Sequence, residues 1–481
     1  MDQPSAMDRP SEHGLRRELG LTDLVLMQVL LIVGLGWIGN AGVQGSTHVL
    51  LWIAGIAFFY LPLAVVVIRL SRAIPVEGGA YQWIKAGISP FAGYMAAWNT
   101  SCYTIFTFGT MGPMLVNSLA YMAGPGSDWM MKSTPLILAT AIVTLLAVFA
   151  VNVRGLHLGK WLTGGGSILT LGLSALLLYL LVRRWLSGIP PAHAPFSLAL
   201  PAFSILTLNV FTKMSIGALS GFDSASVFAG ECRRPARDLP LSVMFSAPVI
   251  ALSYILGTGA MLAYVPPDKI DLAAPLQQLM HAGFGNAGLG EILTIVTVCA
   301  LVLNTFAGAV ALVGVTARFP MVIGWDGILP HWWSRLHPRF RTPVRGLAAV
   351  TGACILVALV SSWDAGGQEI IQIGNGAAIA SLCIMYVLLF AVVLFARQLP
   401  DGRPGVAIRL AALSGFAVSL VSLPFQIVPL TGVPNPAIFA WKVGGLICSI
   451  NALGAWLYWR GTQRRARQIE AAASPLTAAG E

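Results

Sequence analysis

The chain contains 481 residues, of which 56% are hydrophobic and only 10% are charged. Soluble domains carry about 25% charged residues, so 29 basic and 19 acidic residues cannot cover a soluble protein of this length. The composition excludes a soluble enzyme, a disordered chain and a secreted disulfide-rich scaffold. It predicts a polytopic membrane protein whose apolar surface is covered by lipid.

Long stretches without a charged residue recur along the chain, beginning with 24–68 and 86–127. A spanning helix needs about 20 apolar residues, whereas spanning strands alternate in polarity over about ten. The apolar runs are continuous, so we predict an all-α polytopic membrane protein with about twelve spanning helices. They are placed near 22–45, 48–70, 82–112, 134–151, 160–182, 203–231, 240–264, 288–318, 344–362, 369–395, 406–430 and 436–459.

Lys and Arg are concentrated in those loops that lie on the same side of the membrane as the N-terminus in this arrangement. Short cytoplasmic loops are enriched in these residues, so we predict a multi-pass protein of the cell (inner) membrane with both termini in the cytoplasm. The net charge of +10 is then a topology signal and an attraction to anionic lipid. Binding to nucleic acid is not needed to explain it.

The residues of common catalytic and metal-binding motifs are scattered. The six cysteines and seven histidines form no C-x-x-C pair, no H-E-x-x-H motif and no other recognisable metal-ligand cluster. We therefore expect no enzymatic activity, no metal site and no cofactor. The cysteines inside predicted helices are interpreted as small packing residues.

Helix one contains the glycine-rich stretch Gly34-Leu35-Gly36-Trp37-Ile38-Gly39. It matches a dinucleotide-binding fingerprint as a string, but it lacks the preceding strand and the acidic residue about 20 positions later. Two interpretations stay open. The glycines allow close helix packing, or they break the helix at mid-membrane and leave N–H groups that bind an anion.

Helix six contains Asp223, the one acidic residue deep inside a predicted helix. An intramembrane carboxylate is costly and indicates function. The structural alternative is a helix break at Ser220-Gly221, after which Asp223 or Ser224 caps the second half. Both interpretations can hold together.

The two interruptions lie five helices apart, which is the pattern of transporters built from inverted repeats. We divide the chain into an N-terminal tail (1–20), a first repeat (21–182), a second repeat (203–395), helices 11 and 12 (406–459) and a C-terminal tail (460–481).

Three loop motifs resemble the signatures of amino acid–polyamine–organocation permeases. They occupy residues 75–81 (PVEGGAY) with 89–98, residues 229–240 (AGECRRPARDLP), and residues 318–330 with 342–343. The resemblance implies the leucine-transporter fold, with a 5+5 inverted repeat plus two helices, and transport by alternating access.

The resemblance also implies a substrate site at the two helix breaks. The substrate carboxylate would meet N–H groups at Gly34, Leu35 and Gly36, beside Trp37. The substrate amine would meet carbonyls at Gly217, Ala218 and Ser220. Relatives often have Gly-Ser-Gly in helix one, and some carry an aromatic residue where this chain has Gly217. Phe222 or Trp37 would then have to cover the substrate.

The charged loop residues Glu77, Glu231, Arg234 and Arg237 are candidates for a cytoplasmic gate whose ion pairs rearrange during transport. The alternative is a solvated charged loop.

For the substrate we expect a neutral amino acid or a related small amine, because Asp223 alone could pair a cationic side chain. For coupling we favour a proton, or pH-sensitive exchange, through Asp223. Sodium bound by helix-one carbonyls with Asn304 and Thr305 is the alternative. A channel and a membrane-embedded enzyme are disfavoured, and a homodimer stays open.

Overall fold

A computed structural model describes residues 17–124, 126–127, 129–271, 274–285, 288–362, 367–396, 402–429, 433 and 435–477. These residues fold mainly into α-helices, with short π-helical and 3₁₀ segments at points of interruption. An isolated β-bridge joins Leu19 to Cys232.

The first half of the chain forms ten α-helices. They are α1 Leu21–Ile32, α2 Trp37–Gly42, α3 His48–Gly55, α4 Leu61–Ala73, α5 Ala80–Gly87, α6 Pro90–Gly109, α7 Gly112–Ala123, α8 Trp129–Lys132, α9 Thr134–Val153 and α10 Leu156–Leu186. A π-helical turn, Ile56–Tyr60, joins α3 to α4, so these two form one continuous predicted helix two.

The second half forms nine further α-helices. They are α11 Ile205–Lys213, α12 Pro235–Tyr264, α13 Pro275–Phe284, α14 Leu289–Thr316, α15 Arg318–Trp325, α16 Val344–Ser361, α17 Gly367–Phe395, α18 Val406–Phe425 and α19 Pro436–Thr477. A π-helical turn, Met214–Ala218, follows α11, and a 3₁₀ segment, Ser224–Glu231, precedes α12.

Within the described residues, nine helical stretches are long and apolar enough to cross a membrane. Two shorter apolar helices, Leu21–Ile32 and Ile205–Ala218, form the first halves of predicted helices one and six. Together with the 20-residue α6 they agree with about twelve predicted helices. Both predicted interruptions are present, at 33–36 and at 219–223.

Prolines account for two of the differences between the predicted and the observed helix boundaries. The element predicted at 82–112 is split between α5 and α6, because Pro90 opens a new helix whose Ser89 Oγ accepts a hydrogen bond from Ala92 N at 3.1 Å. Helix seven begins at Pro235 as α12, and Pro240 lies inside it. Pro240 therefore lies inside a helix, although proline usually breaks or kinks a helix interior.

The C-terminal helix is longer than predicted. We expected it to end near 459 and a polar tail to follow, but α19 continues to Thr477. Gly461 packs directly on the backbone of Ile328, where an added Cβ would not fit. This contact ties the extended helix to the loop after α15, a tertiary interaction that the local polarity of the tail did not reveal.

The core lies around the two interruptions. Trp52, Phe59, Tyr60, Phe222, Tyr254 and Tyr386 are among the largest fully buried side chains, and they belong to one apolar cluster. These side chains pack around both breaks, while Gly34 and Gly36 in the helix-one break are themselves exposed.

Candidate substrate site and the Arg318 cluster

The break in helix one leaves backbone donors unused. α1 ends at Ile32, and α2 starts at Trp37 with Gly36 as its N-cap residue. The Gly34 N–H lies 3.0 Å from the Tyr254 hydroxyl and 2.8 Å from the Ile32 carbonyl. Among the described residues, the N–H groups of Leu35 and Gly36 have no hydrogen-bond partner. Two of the three predicted donors are therefore free to bind an anion.

The break in helix six leaves backbone acceptors unused. Gly221 has a φ of +124°, a conformation that side chains rarely allow, so glycine is required where the chain leaves the π-helical turn. The Ala218 carbonyl accepts a hydrogen bond from Tyr254. In the described part of the chain no donor reaches the carbonyls of Gly217 or Ser220. These two predicted acceptors could bind an ammonium group.

One hydroxyl connects the two breaks. Tyr254, which is fully buried on α12, places its hydroxyl 2.6 Å from the Ile32 carbonyl, 3.0 Å from the Ala218 carbonyl and 3.0 Å from the Gly34 N–H. Trp52 stacks on its ring with a centroid separation of 4.5 Å. No sequence motif marks Tyr254, since its partners lie 36 and 220 positions away in the chain.

Trp37 occupies the space above Gly217. A Cβ built on Gly217 would lie 2.6 Å from Cη2 of Trp37 and 3.3 Å from Cδ1 of Ile379. Trp37 is itself half-buried and stands beside the exposed Gly34 and Gly36. The space that a side chain at position 217 would fill is thus taken by the ring of Trp37 from α2.

Phe222, the other predicted cover, lies elsewhere. Its side chain is 1% exposed, and its ring packs against Tyr60 with a centroid separation of 4.8 Å. The structure places it in the apolar core and does not bring it to the free backbone groups.

Asp223 contacts Tyr386 instead of capping a helix. The Tyr386 hydroxyl donates to Asp223 Oδ1 at 2.8 Å and accepts from the Gly221 N–H at 3.0 Å. Asp223 is the N-cap residue of the 3₁₀ segment, but its side chain makes no capping hydrogen bond. The capping interpretation of this carboxylate is therefore wrong, and the carboxylate points to a hydroxyl of α17.

A small cavity opens beside this carboxylate. Helices α1, α6, α14 and α17 contribute to its wall together with the helix-six break. Its polar lining includes Thr100, Tyr103, Ser220, Asp223 and Tyr386. Of the predicted substrate-site residues, the cavity reaches Ser220 directly.

Three charged side chains meet where the loop before α5, the end of the 3₁₀ segment and the start of α15 come together. We call Glu77, Glu231 and Arg318 the Arg318 cluster. Arg318 Nε and Nη2 donate to Glu231 Oε1 at 2.8 and 2.6 Å, and Nε lies 3.7 Å from Glu77 Oε1. Glu77 Oε2 accepts the Gly230 N–H at 2.7 Å.

Only part of the predicted gate takes part in this cluster. Glu77 and Glu231 belong to it, whereas the side chains of Arg234 and Arg237 are exposed and lie outside it. The cationic partner of Glu77 and Glu231 is Arg318. Its guanidinium carbon also lies 4.1 Å from the centroid of the Phe228 ring. The motif at 318–330 contained Arg318, but nothing in the sequence pattern connected it to residues 77 and 231.

Burial dominates the electrostatics of the Arg318 cluster. The three residues are only 3–8% exposed. Burial raises the pKa of the Glu77 carboxyl, and the neighbouring Glu231 raises it further, while Arg318 opposes both effects. Burial likewise raises the pKa of Glu231.

Of the two predicted side-chain ligands for sodium, Asn304 contacts α10 and Thr305 does not. Thr170 Oγ1 donates to Asn304 Oδ1 at 2.7 Å, and the nearby Ser167 Oγ donates to the Leu26 carbonyl at 2.5 Å. Thr305 Oγ1 donates to Leu301 O within its own helix. In the described chain no group of three His, Cys, Asp or Glu side chains could hold a metal ion.

Comparison with known proteins identifies the family. The amino acid permease family matches residues 19–451. An uncharacterized transporter of Legionella pneumophila is 24% identical over 90% of this chain and 95% of its own length. The branched-chain amino acid permease BcaP of Bacillus subtilis is 25% identical over 91% and 93%. The vacuolar cationic amino acid transporter 8 of Arabidopsis thaliana is 23% identical over 93% and 74%.

A solved structure shows the same fold. The crystal structure of MhsT in complex with L-phenylalanine matches with a TM-score of 0.61 and 15% sequence identity, over 87% of this chain and 99% of that one. The predicted leucine-transporter fold is confirmed by this match. The interrupted helices and the family match lead to one conclusion: the chain belongs to the amino acid permease family of the amino acid–polyamine–organocation superfamily, and it is a membrane transporter rather than an enzyme.

Proposed function

We propose that the protein is a secondary active transporter that carries a neutral amino acid by alternating access. Its termini lie in the cytoplasm, and it works in the cell membrane. The observation that carries the proposal is that one helix break has free backbone donors, at Leu35 and Gly36, and the other has free acceptors, at Gly217 and Ser220. An α-amino acid presents one anionic and one cationic group, and opposed helix ends suit both.

The cover of this site is Trp37. Its indole already fills the space over Gly217, whereas Phe222 is committed to the core. When the pathway opens, Trp37 moves away from Gly217 and exposes the backbone groups. Because Trp37 is bulky, its position limits the size of the substrate side chain.

The preference for a neutral substrate is supported by the charge of the site. Asp223 is the only carboxylate that lines the described cavity, and it accepts a hydrogen bond from Tyr386. The names of similar proteins include both branched-chain and cationic amino acids. A cationic side chain would need a carboxylate partner inside the bundle to avoid an unpaired buried charge.

Asp223 is the proposed coupling group. It is 4% exposed, borders the cavity and faces a hydroxyl rather than a cation, so it can take up and release a proton during the cycle. Sodium is the alternative. Ser167 Oγ contacts the Leu26 carbonyl of α1, and Thr170 Oγ1 contacts Asn304 Oδ1, and hard oxygen donors of this kind suit a hard cation.

A ligand screen by thermal shift tests the substrate class. A ligand that binds the folded protein stabilises it by mass action, so the purified protein is heated with each neutral, acidic and cationic amino acid and with small amines. We expect the largest shift with a neutral amino acid, and a smaller one for the same ligand with the variant Gly36→Val. A screen in which arginine or lysine binds most tightly would overturn the neutral assignment.

A further inference from the structure

The Arg318 cluster contains two carboxylates and one cation. Arg318 directs Nε and Nη2 to Glu231 and Nη1 to the Gly314 carbonyl, so its guanidinium is largely committed. Glu77 lies further away, at 3.7 Å from Nε. With both carboxyl groups ionised, the cluster would bury one uncompensated negative charge, which is strongly disfavoured.

Two carboxylate oxygens in the cluster lack a donor. Glu77 Oε1 and Glu231 Oε2 are buried and have no hydrogen-bond partner among the described residues. A buried acceptor without a donor is costly. One proton bound to the pair would supply an O–H donor and would also cancel the excess charge.

Among the described residues, no other charged group near the pair supplies the missing cation. Apart from Arg318, the other titratable groups that act on the pair or on the adjoining buried Cys232 are acids of the N-terminal segment, α1 and α12. They are Glu18, Asp23 and Asp238. Arg233, Arg234 and Arg237 are exposed to solvent.

We propose that Glu77 and Glu231 form a proton-binding site, and that closing the gate built around Arg318 takes up one proton. The same contacts join separate elements: the Glu77 carboxylate holds the Gly230 N–H, and Leu19 pairs with the backbone of Glu231 and Arg233. When the gate opens, water reaches the two carboxyl groups, and the proton is released to the side of the membrane on which the gate lies. This site is separate from Asp223, which lines the central cavity.

The sign of the pH dependence follows from the closed arrangement. Burial raises the pKa of Glu77 above its ordinary value, so the closed gate holds the proton more tightly than the open gate. The closed gate is therefore fully favoured at acidic pH and is weakened as pH rises through the raised pKa. With the termini in the cytoplasm, as proposed above, acidification of the cytoplasm holds the gate shut. This consequence alone rests on the proposed function.

Hydrogen exchange of the purified protein in lipid nanodiscs, read by mass spectrometry, tests the site without any substrate. The peptides to follow contain the amides of Leu19, Gly230 and Arg233, which are hydrogen-bonded only when these elements meet. After correction for the intrinsic pH dependence of exchange, we expect the protection of these amides to fall as the pH rises. For one proton taken up on closing, the protection factor falls by up to about tenfold per pH unit between about pH 5 and 8.

Three variants make the test specific. Glu77→Gln and Glu231→Gln each leave Arg318 with one carboxylate, so we expect protection that no longer changes with pH. Asp326→Asn is the matched control, because it removes the half-buried pair with Lys85 and leaves the Arg318 cluster intact. We expect it to keep the wild-type pH dependence.

The proposal is overturned if wild-type protection is independent of pH, a result that needs no variant to fold. It is also overturned if either Gln variant keeps the wild-type slope or if Asp326→Asn loses it. Because no amino acid is present, these outcomes are separate from the success or failure of the proposed amino acid transport.

Discussion

The indole ring of Trp37 packs directly against Gly217 and leaves no room for a side chain at that position. The indole lies where a side chain at position 217 would start, and the two residues come from the interrupted helices of different halves of the chain. This arrangement makes the cover of the proposed site a property of a residue pair rather than of one residue.

The pair predicts a size swap. Gly217→Phe alone overpacks the contact, and overpacking costs about 1–3 kcal/mol. At about 1.4 kcal/mol per factor of ten, we expect uptake to fall by about fivefold to about a hundredfold. Trp37→Ala alone uncovers the substrate and lowers uptake by a similar factor. The double variant should recover part of the activity in liposomes. If the loss of uptake in the double variant equals the combined losses of the two single variants, the two residues do not share the role of cover.

Gly36→Val should abolish uptake and leave the melting temperature nearly unchanged. Gly36 has no heavy atom within 4 Å of an added Cβ, so the new side chain fills only the space assigned to the substrate. Gly39→Val should instead destabilise the protein, since its Cβ would lie 2.5 Å from Pro275. Gly172→Val, on an open face of α10, is the neutral control. Normal uptake by Gly36→Val would remove helix one from the site.

Tyr254→Phe should weaken both stability and substrate binding. The change removes the hydroxyl shared by the two breaks and leaves buried carbonyls at Ile32 and Ala218 without it, a loss of about 1–3 kcal/mol. Tyr264→Phe is a matched control, because its hydroxyl contacts a single carbonyl, Leu180. Thermal unfolding and ligand binding measure both effects. Equal behaviour of the two variants would mean that Tyr254 has no special role.

Asp223→Asn should flatten the pH profile of uptake. An amide keeps the shape of the side chain and can still contact Tyr386, but it cannot exchange a proton. Tyr386→Phe keeps the carboxylate, so we expect its uptake to depend on pH still, although with a changed midpoint. Uptake is measured with and without sodium. A strict sodium requirement in the wild type, together with an unchanged profile in Asp223→Asn, would favour the sites near Ser167 and Asn304.

The local features of the fold could be predicted from the sequence. Glycines at 34 and 36 and the Ser220-Gly221 step mark both interruptions because they lower the local cost of unwinding. Long apolar runs located the spanning helices. Proline is common at the first position of a helix, so Pro90 indicates the start of α6. The continuous apolar run around it nevertheless predicts a single helix over 82–112.

The partners of the site residues could not be predicted in the same way. Tyr254, Tyr386 and Arg318 act through contacts 36 to 241 positions away, and a hydroxyl or guanidinium in a helix carries no local sign of its partner. The extension of α19 depends on packing against Ile328, which composition does not encode. Periodicity and turn residues therefore locate elements, whereas the pairing of side chains across the bundle needs the tertiary structure.

Counterflow in proteoliposomes tests the central claim most directly. Vesicles loaded with an unlabelled neutral amino acid are placed in a trace of the same labelled compound, with Gly36→Val as the inactive control. A carrier with alternating access predicts transient accumulation of label, saturation with substrate and loss of both in the variant. Flux that rises linearly with concentration without counterflow, or no flux of any amino acid tested, would contradict the account.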